Sequence, residues 1–300
     1  MTPSDDRATQ DRPRPRLPLL AALRPRQWIK NVVVLAAPVF AGQLTDPGTL
    51  WRSLVTVLLF SMASSGVYLL NDVSDLVEDR AHPLKRHRPL AAGHLSSRTA
   101  GAAAVLLLLA AVGLGAALSW ELGLVLASYC VINLAYSWAL KHEPVIDIAT
   151  IALGFVLRAV AGGVANDIPL SQWFLLVASF GALYMAAGKR YAEAQLVGEG
   201  RAETRRSLNG YSMSYLRFVW TTAAALLIMS YSLWAFEMSP DASFPWSEIS
   251  IAPFVVAVLR YGVDVDAGTA GEPEEIALKD GMLQVMAATW LVVVVAGLYA

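Results

Sequence analysis

Long apolar runs recur almost from end to end of this chain, at residues 28–44, 50–71, 99–118, 121–140, 145–165, 172–190, 213–236, 247–262 and 281–300. A helix needs about 20 apolar residues to cross a bilayer, and in lipid every backbone polar group must be satisfied inside the segment. The predicted fold is therefore an all-α polytopic membrane protein, a bundle of nine transmembrane helices. The run 247–262 is the weakest, being short and interrupted by Pro253. Composition agrees: 56% of residues are hydrophobic, 16% are charged and the mean hydropathy is +0.50, which excludes an ordinary soluble domain. Residues 1–22 read as a disordered tail. Met1 to Pro18 are rich in Arg, Pro and Asp and lack the apolar stretch of a cleavable signal. Residues 23–300 form the membrane domain.

The net charge of −1 identifies no partner, and no nucleic acid is expected. The distribution of charge says more. If the helices alternate, Arg24, Arg26, Lys30, Arg80, Lys85, Arg86, Arg88, Arg98, Lys141, Lys189, Arg190, Arg201, Arg205 and Arg206 all fall on one side. The other side offers Arg52 with Asp46, Asp167, Glu237 and Asp241. Basic loops stay cytoplasmic, so the expected location is the plasma (inner) membrane, with the N-terminus and a polar cap in the cytoplasm. The loop 263–280 falls on the same side although it is acidic (Asp264, Asp266, Glu272, Glu274, Glu275, Asp280). Acids count little in that rule. Pro273-Glu274 reads as a helix start within a solvated turn.

The second run ends in Asn71-Asp-Val-Ser-Asp-Leu-Val-Glu-Asp79. One continuous helix would gather Asn71, Asp72, Asp75 and Asp79 on one face. Clustered carboxylates repel one another unless a cation sits among them. A hard ion such as Mg²⁺ wants this oxygen shell, completed by water and substrate phosphate. The bland alternative is an acidic, solvated helix end. The tract Lys85-Arg-His-Arg-Pro-Leu-Ala-Ala-Gly93 follows closely. Alone it is equally a topogenic or lipid-headgroup patch; beside the acids, Lys85 and Arg88 become candidate phosphate ligands. Acid for metal and base for phosphate point to chemistry on a diphosphate at a membrane surface.

Further candidates lie inside or at the ends of other runs. Lys30 and Asn31 open the first run and can face a central cavity, whereas Trp28 and its basic neighbours can equally be an interface anchor. Arg158 sits mid-segment, where a charge is expensive and needs an acidic or phosphate partner. The structural alternative is a pair with Asp147. Lys189, Arg190, Tyr191 and Glu193 end the sixth run and suggest a second half of one polar site, and Lys141 is a similar, weaker case. Cys130 is a lone packing residue, and His82, His87, His94 and His142 form no zinc pattern. There is no P-loop, nucleophile elbow or helical zinc motif.

The pattern Asn-Asp-x-x-Asp-x-x-x-Asp after the second membrane run, with Tyr136-Ser-x-x-Leu-Lys141 and Leu157-Arg-Ala-x-Ala-Gly162, resembles the UbiA superfamily of intramembrane prenyltransferases. The resemblance implies a nine-helix bundle with a central cavity and a Mg²⁺-diphosphate site at its cytoplasmic end. One departure is informative. The second aspartate-rich motif of the wider family is replaced here by Tyr184-Met-Ala-Ala-Gly-Lys-Arg-Tyr-Ala-Glu-Ala-Gln195. With Tyr215-Leu-Arg-Phe-Val-Trp220, this is similar to a phosphoribosyl-transferring branch of the family. That branch implies 5-phosphoribosyl 1-diphosphate as donor and polyprenyl phosphate as acceptor, for a cell-wall arabinan precursor, and also a homotrimer.

On this reading Asp72, Asp75 and Arg158 are catalytic, and Asn71, Asp72, Asp75 and Asp79 hold Mg²⁺. Lys30, Asn31, Lys85, Arg88, Lys141, Lys189, Arg190, Tyr191 and Glu193 bind substrate. Two other functions remain open: prenyl transfer to an aromatic acceptor, and a non-enzymatic polyprenyl-phosphate carrier. The missing second acidic motif argues against the first. The one-sided metal motif and the lack of a visible internal repeat argue against the second.

Overall fold

The computed structural model describes residues 17–82, 85–198, 208, 210–238, 244–270, 276 and 279–299. Arg201, Arg205, Arg206, Asp241, Glu272, Pro273, Glu274 and Glu275 lie outside the described residues. Among the described residues every regular element is helical: α1 (Pro18–Ala22), a 3-10 helix (Pro25–Leu35), α2 (Ala36–Phe40), α3 (Pro47–Ser74), α4 (Leu76–Ala81), α5 (Ser97–Leu118), α6 (Trp120–Trp138), α7 (Ile146–Val164), α8 (Gln172–Gly198), α9 (Met213–Met238), α10 (Trp246–Ile249), α11 (Ile251–Asp266) and α12 (Gly281–Tyr299), with short 3-10 turns at Lys85–His87 and Leu140–His142.

Among the described residues, six helices are long and apolar enough to cross a membrane: α3, α5, α6, α7, α9 and α12. The other three expected spans take different forms. The first run is the 3-10 helix followed by the five-residue α2. An 11-residue 3-10 helix is unusually long. Its rise of about 2.0 Å per residue lets few residues cover much depth. α8 is long enough but less apolar, and it runs on to Gly198, so Tyr191 and Glu193 lie on a helix rather than in the expected loop. α11 has only 16 residues, and Pro253 sits in its first turn, where a proline costs no hydrogen bond.

Two starts show how local sequence sets the boundaries. Asp46 caps α3 by accepting from Thr49 N at 2.7 Å, with Pro47 as its first residue. Ser96 caps α5 in the same way, accepting from Thr99 N at 3.1 Å. The expected tail boundary at residue 22 falls inside structure, since Ala22 is buried with Leu69 and Leu90.

Helices adjacent in sequence pack together through most of the bundle, and the 3-10 helix lies against both α3 and α7. One core joins α7, α8, α9 and α11 through Ile148, Tyr184, Tyr191, Leu216, Tyr261 and Val265. Another joins α3, α5, α6 and the 3-10 helix through Phe60, Leu59, Ala111, Leu122, Tyr129 and Val34. The outer surface is apolar as well: Leu106 is 69% exposed and Val292 67%. Lipid, not water, is the solvent such faces need.

Candidate active site

The acidic motif is not one uninterrupted helix. α3 ends at Ser74, Asp75 adopts φ −89° and ψ 12°, and α4 resumes at Leu76. The backbone bonds Asp75 N to Asn71 O and Asp79 N to Asp75 O, both 2.8 Å, carry the helical register through the break. Asn71 and Asp75 consequently stay in contact, and Asp72 and Asp79 share Arg88, although the helix is broken. Asn71 Nδ2 donates to Asp75 Oδ2 at 3.0 Å, which orients that carboxylate.

Cations from three other segments close on these carboxylates. Arg24 Nη2, from the start of the 3-10 helix, reaches Asp72 Oδ1 at 2.5 Å. One nitrogen of Arg88, Nη1, reaches both Asp72 Oδ1 at 3.2 Å and Asp79 Oδ2 at 2.7 Å. Lys85 Nζ stands 3.9 Å from Asp79 Oδ1. Lys141 Nζ, from the 3-10 turn between α6 and α7, stands 3.4 Å from Asp75 Oδ1. Three carboxylates thus face four cations. Asp72 and Asp79 are buried while the cations are half-buried or more exposed, so the acids form the floor and the bases the lip.

The site suits a hard cation chemically. Its donors are carboxylate oxygens, and among the described residues buried Asp79 Oδ1 has no hydrogen-bond partner. The cage is not preformed: among the described residues no three His, Cys, Asp or Glu side chains are grouped to hold a metal. Arg88, wedged between Asp72 and Asp79, occupies the position a metal would contest. Diphosphate oxygens and water would complete the shell.

A second polar cluster lies where α6, α7 and α8 meet. Arg190 grips Asp147 with two bonds of 2.7 Å, Nε to Oδ2 and Nη2 to Oδ1. It also donates to Glu193 Oε2 at 2.6 Å and to Tyr136 OH at 2.9 Å, and Tyr136 in turn donates to Asp147 at 2.9 Å. Asp147 is 0% exposed. Arg190, expected to present itself to phosphate, is therefore engaged by two carboxylates. Tyr191 points elsewhere, to Asp266 and Arg217. Lys189 and Lys30 are half-buried, beside Arg190 and Asn31 respectively.

Arg158 has no acidic partner among the described residues. It is 5% exposed, and its partners are the neutral oxygens of Asn31 (2.7 Å), Gly154 (2.7 Å) and Tyr129 (2.8 Å), not Asp147 and not the acidic motif. Asp147 and Arg158 are 11 residues apart on α7, roughly 16 Å along its axis, and Asp147 belongs to Arg190. Asn31 is likewise engaged, accepting from Arg158 and donating to Ser61 Oγ at 3.0 Å.

Sequence reasoning missed Arg24, Tyr136 and Asp147 as parts of the polar end. Tyr136 and Lys141 were visible as one motif, and Asp147 as an acid inside an apolar run. Arg24 carried no signal beyond its charge.

The model of the UbiA prenyltransferase family matches residues 32–272. A decaprenyl-phosphate phosphoribosyltransferase of Mycolicibacterium smegmatis is 48% identical over 293 residues, covering 94% of this chain and 92% of that protein. One of Mycobacterium tuberculosis is 47% identical over 280 residues, covering 92% of each. Among solved structures, a UbiA homolog from Archaeoglobus fulgidus bound to DMAPP and Mg²⁺ aligns with a TM-score of 0.70 at 18% identity, over 95% of this chain and 100% of that one. At that identity the likeness speaks for the fold alone.

Proposed function

This chain belongs to the UbiA prenyltransferase family, and within it we propose a phosphoribosyltransferase that joins 5-phosphoribosyl 1-diphosphate to polyprenyl phosphate and releases pyrophosphate. Its near full-length relatives carry the name decaprenyl-phosphate phosphoribosyltransferase, which supports decaprenyl phosphate as acceptor. The geometric observation that carries the reading is the charge balance of the polar end. Three carboxylates meet four cations there, so the site is already neutralised without metal and has positive charge in excess.

Mg²⁺ on Asp72, Asp75 and Asp79, with Asn71 orienting Asp75, would supply charge stabilisation to the departing pyrophosphate. Arg24, Lys85, Arg88 and Lys141 then exchange carboxylate for phosphate oxygens, and charge-assisted bonds of this kind are among the stronger ones. Half-buried Lys189, next to Arg190 in the sequence, is a further candidate for phosphate. An oxygen of the lipid phosphate attacks the anomeric carbon as the bond from that carbon to the diphosphate oxygen breaks. The attacking group is already an anion, so no base is needed. Positioning and charge stabilisation do the rest. Arg190 acts by holding the wall formed by Asp147, Tyr136 and Glu193. The one-sided Lys and Arg distribution supports a cytoplasmic polar end in the inner membrane, where sugar phosphates are made. The reading does not depend on a trimer.

The test is direct. The purified full chain is incubated with labelled 5-phosphoribosyl 1-diphosphate and polyprenyl phosphate. Labelled lipid and pyrophosphate are expected, lost in EDTA and restored by Mg²⁺. Transfer from a prenyl diphosphate to an aromatic acceptor, with none from the sugar donor, would overturn it.

A further inference from the structure

Arg158 is a buried cation outside the group of cations that pairs with the acidic motif. A charge inside a membrane bundle is expensive and is kept only for a purpose. Among the described residues its guanidinium contacts neutral groups: Asn31 on the 3-10 helix, Tyr129 on α6, the Gly154 carbonyl on its own helix, and the rings of Phe60, Tyr129 and Phe155. A planar group with several fixed donors can satisfy three elements at once, which a lysine cannot.

The 3-10 helix is tied down in a definite register. Asn31 accepts from Arg158 and donates to Ser61 on α3. One turn further along α7, the Val34 carbonyl lies so close to Gly162 that a Cβ there would sit 1.9 Å from its oxygen. Three residues of a 3-10 helix rise about 6 Å, and four residues of an α-helix rise about 6 Å. The steps from Asn31 to Val34 and from Arg158 to Gly162 therefore match only while the segment remains 3-10. Toward the site, Trp28 Nε1 donates to Ser65 Oγ at 3.0 Å, and that hydroxyl donates to Leu23 O at 2.9 Å. Then comes Arg24, in the left-handed region at φ 54°, with its side chain on Asp72.

We propose that Arg158 is a positioning residue for phosphoribosyl transfer: through Asn31 it holds the Pro25–Leu35 segment in 3-10 register and so sets Arg24 at Asp72. Seven residues separate Arg24 from Asn31. Relaxing them to an α-helix shortens that distance by roughly 3.5 Å, enough to take Arg24 out of hydrogen-bond reach of Asp72. The lip of the site would then lose one of its four cations. The kinetic part rests on the proposed function; the structural part does not.

The experiment uses the full chain in lipid nanodiscs and compares wild type, Arg158→Met, Asn31→Asp, Arg24→Ala and the Arg24→Ala, Arg158→Met double variant. Hydrogen exchange over 25–35 is read against that over α9. In Arg158→Met, exchange over 25–35 should rise about tenfold or more with α9 unchanged. Donor KM should rise about tenfold with a smaller change in kcat. Asn31→Asp, which keeps the acceptor oxygen, should retain protection. In the Arg24→Ala background, Arg158→Met should add nothing further to KM. Unchanged exchange over 25–35 overturns the proposal. So does a full additional KM effect without Arg24, which would put Arg158 on the substrate itself. If Arg158→Met also loses α9 protection, Asn31→Ala cuts the same bond from the other side and is read by the same two outcomes. If wild type transfers no phosphoribosyl group, the proposed function fails, and the exchange measurements still decide the latch.

Discussion

Arg190 separates two roles that the sequence alone leaves equivalent, phosphate ligand and structural ion pair. Its guanidinium spends donors on Asp147, Glu193 and Tyr136 at 2.6–2.9 Å, and Asp147 has no solvent exposure to fall back on. Arg190→Met would leave a fully buried carboxylate with a single phenol donor. Breaking a buried pair from one side costs about 3–5 kcal/mol. Asp147→Leu should cost a similar amount, somewhat less because Glu193 still faces the arginine. The double variant Asp147→Leu, Arg190→Met removes both charges. Tyr136 and Glu193 alone then lose partners, for a residual cost of about 1–3 kcal/mol. The double variant should therefore fall short of the summed single costs by roughly 3 kcal/mol or more. Reversible unfolding in mixed micelles, followed by circular dichroism, reads all three variants. If each single variant costs under about 1 kcal/mol, the two add, and Arg190→Met raises donor KM about tenfold, the pair is slack and Arg190 is a phosphate ligand after all.

Gly162→Ala should destabilise by about 1–3 kcal/mol or more through overpacking, since its Cβ meets a backbone oxygen, whereas Gly154→Ala, whose nearest neighbour would be 3.6 Å away, should be tolerated; the same unfolding measurement compares them. Asp72→Asn and Asp79→Asn should each abolish most turnover with helix content intact, and full activity of either would remove that acid from the site. For topology, cysteines replacing Ala92 and Thr45, both exposed and at opposite ends of α3 and α5, are read with an impermeant thiol reagent in intact cells. Label at 45 but not at 92 is expected, with buried Cys130 as a low background, and the reverse would put the site outside. Asp280 caps α12, and its carboxyl is held below the ordinary range first by the Leu283 N–H, with Arg260 adding to it. Its contribution to stability is present above the unfolded carboxylate pKa and is lost as pH falls through the lowered folded value. Asp280→Ala should flatten that acid limb of the unfolding profile.

Periodicity and composition were enough for the helical membrane class, because lipid leaves a single chain so few alternatives. The break between α7 and α8, for example, was expected at 166–171 and falls there. The acidic motif and its basic neighbours were legible as well: Asp72, Asp79, Lys85 and Arg88 lie within one short stretch, and local spacing predicts local contact. What lay beyond the sequence was every pairing between distant segments. Arg24 and Asp72 are 48 residues apart, Asn31 and Arg158 are 127 apart, and nothing in composition says which cation meets which acid. Asp147 stood as the alternative partner of Arg158 in a pair tying two helices together, yet both lie on α7 and are separated along its axis. The partner Asp147 takes, Arg190, becomes visible only when α8 is laid against α7. The 3-10 form of the first segment belongs with these. Nothing in its residue pattern predicts a 3-10 helix, nor that Gly162 on α7 admits the Val34 carbonyl. Charge and hydrophobicity are properties of residues and can be read in order along the chain. Register and pairing are properties of two surfaces in contact, and they exist only once the bundle has closed.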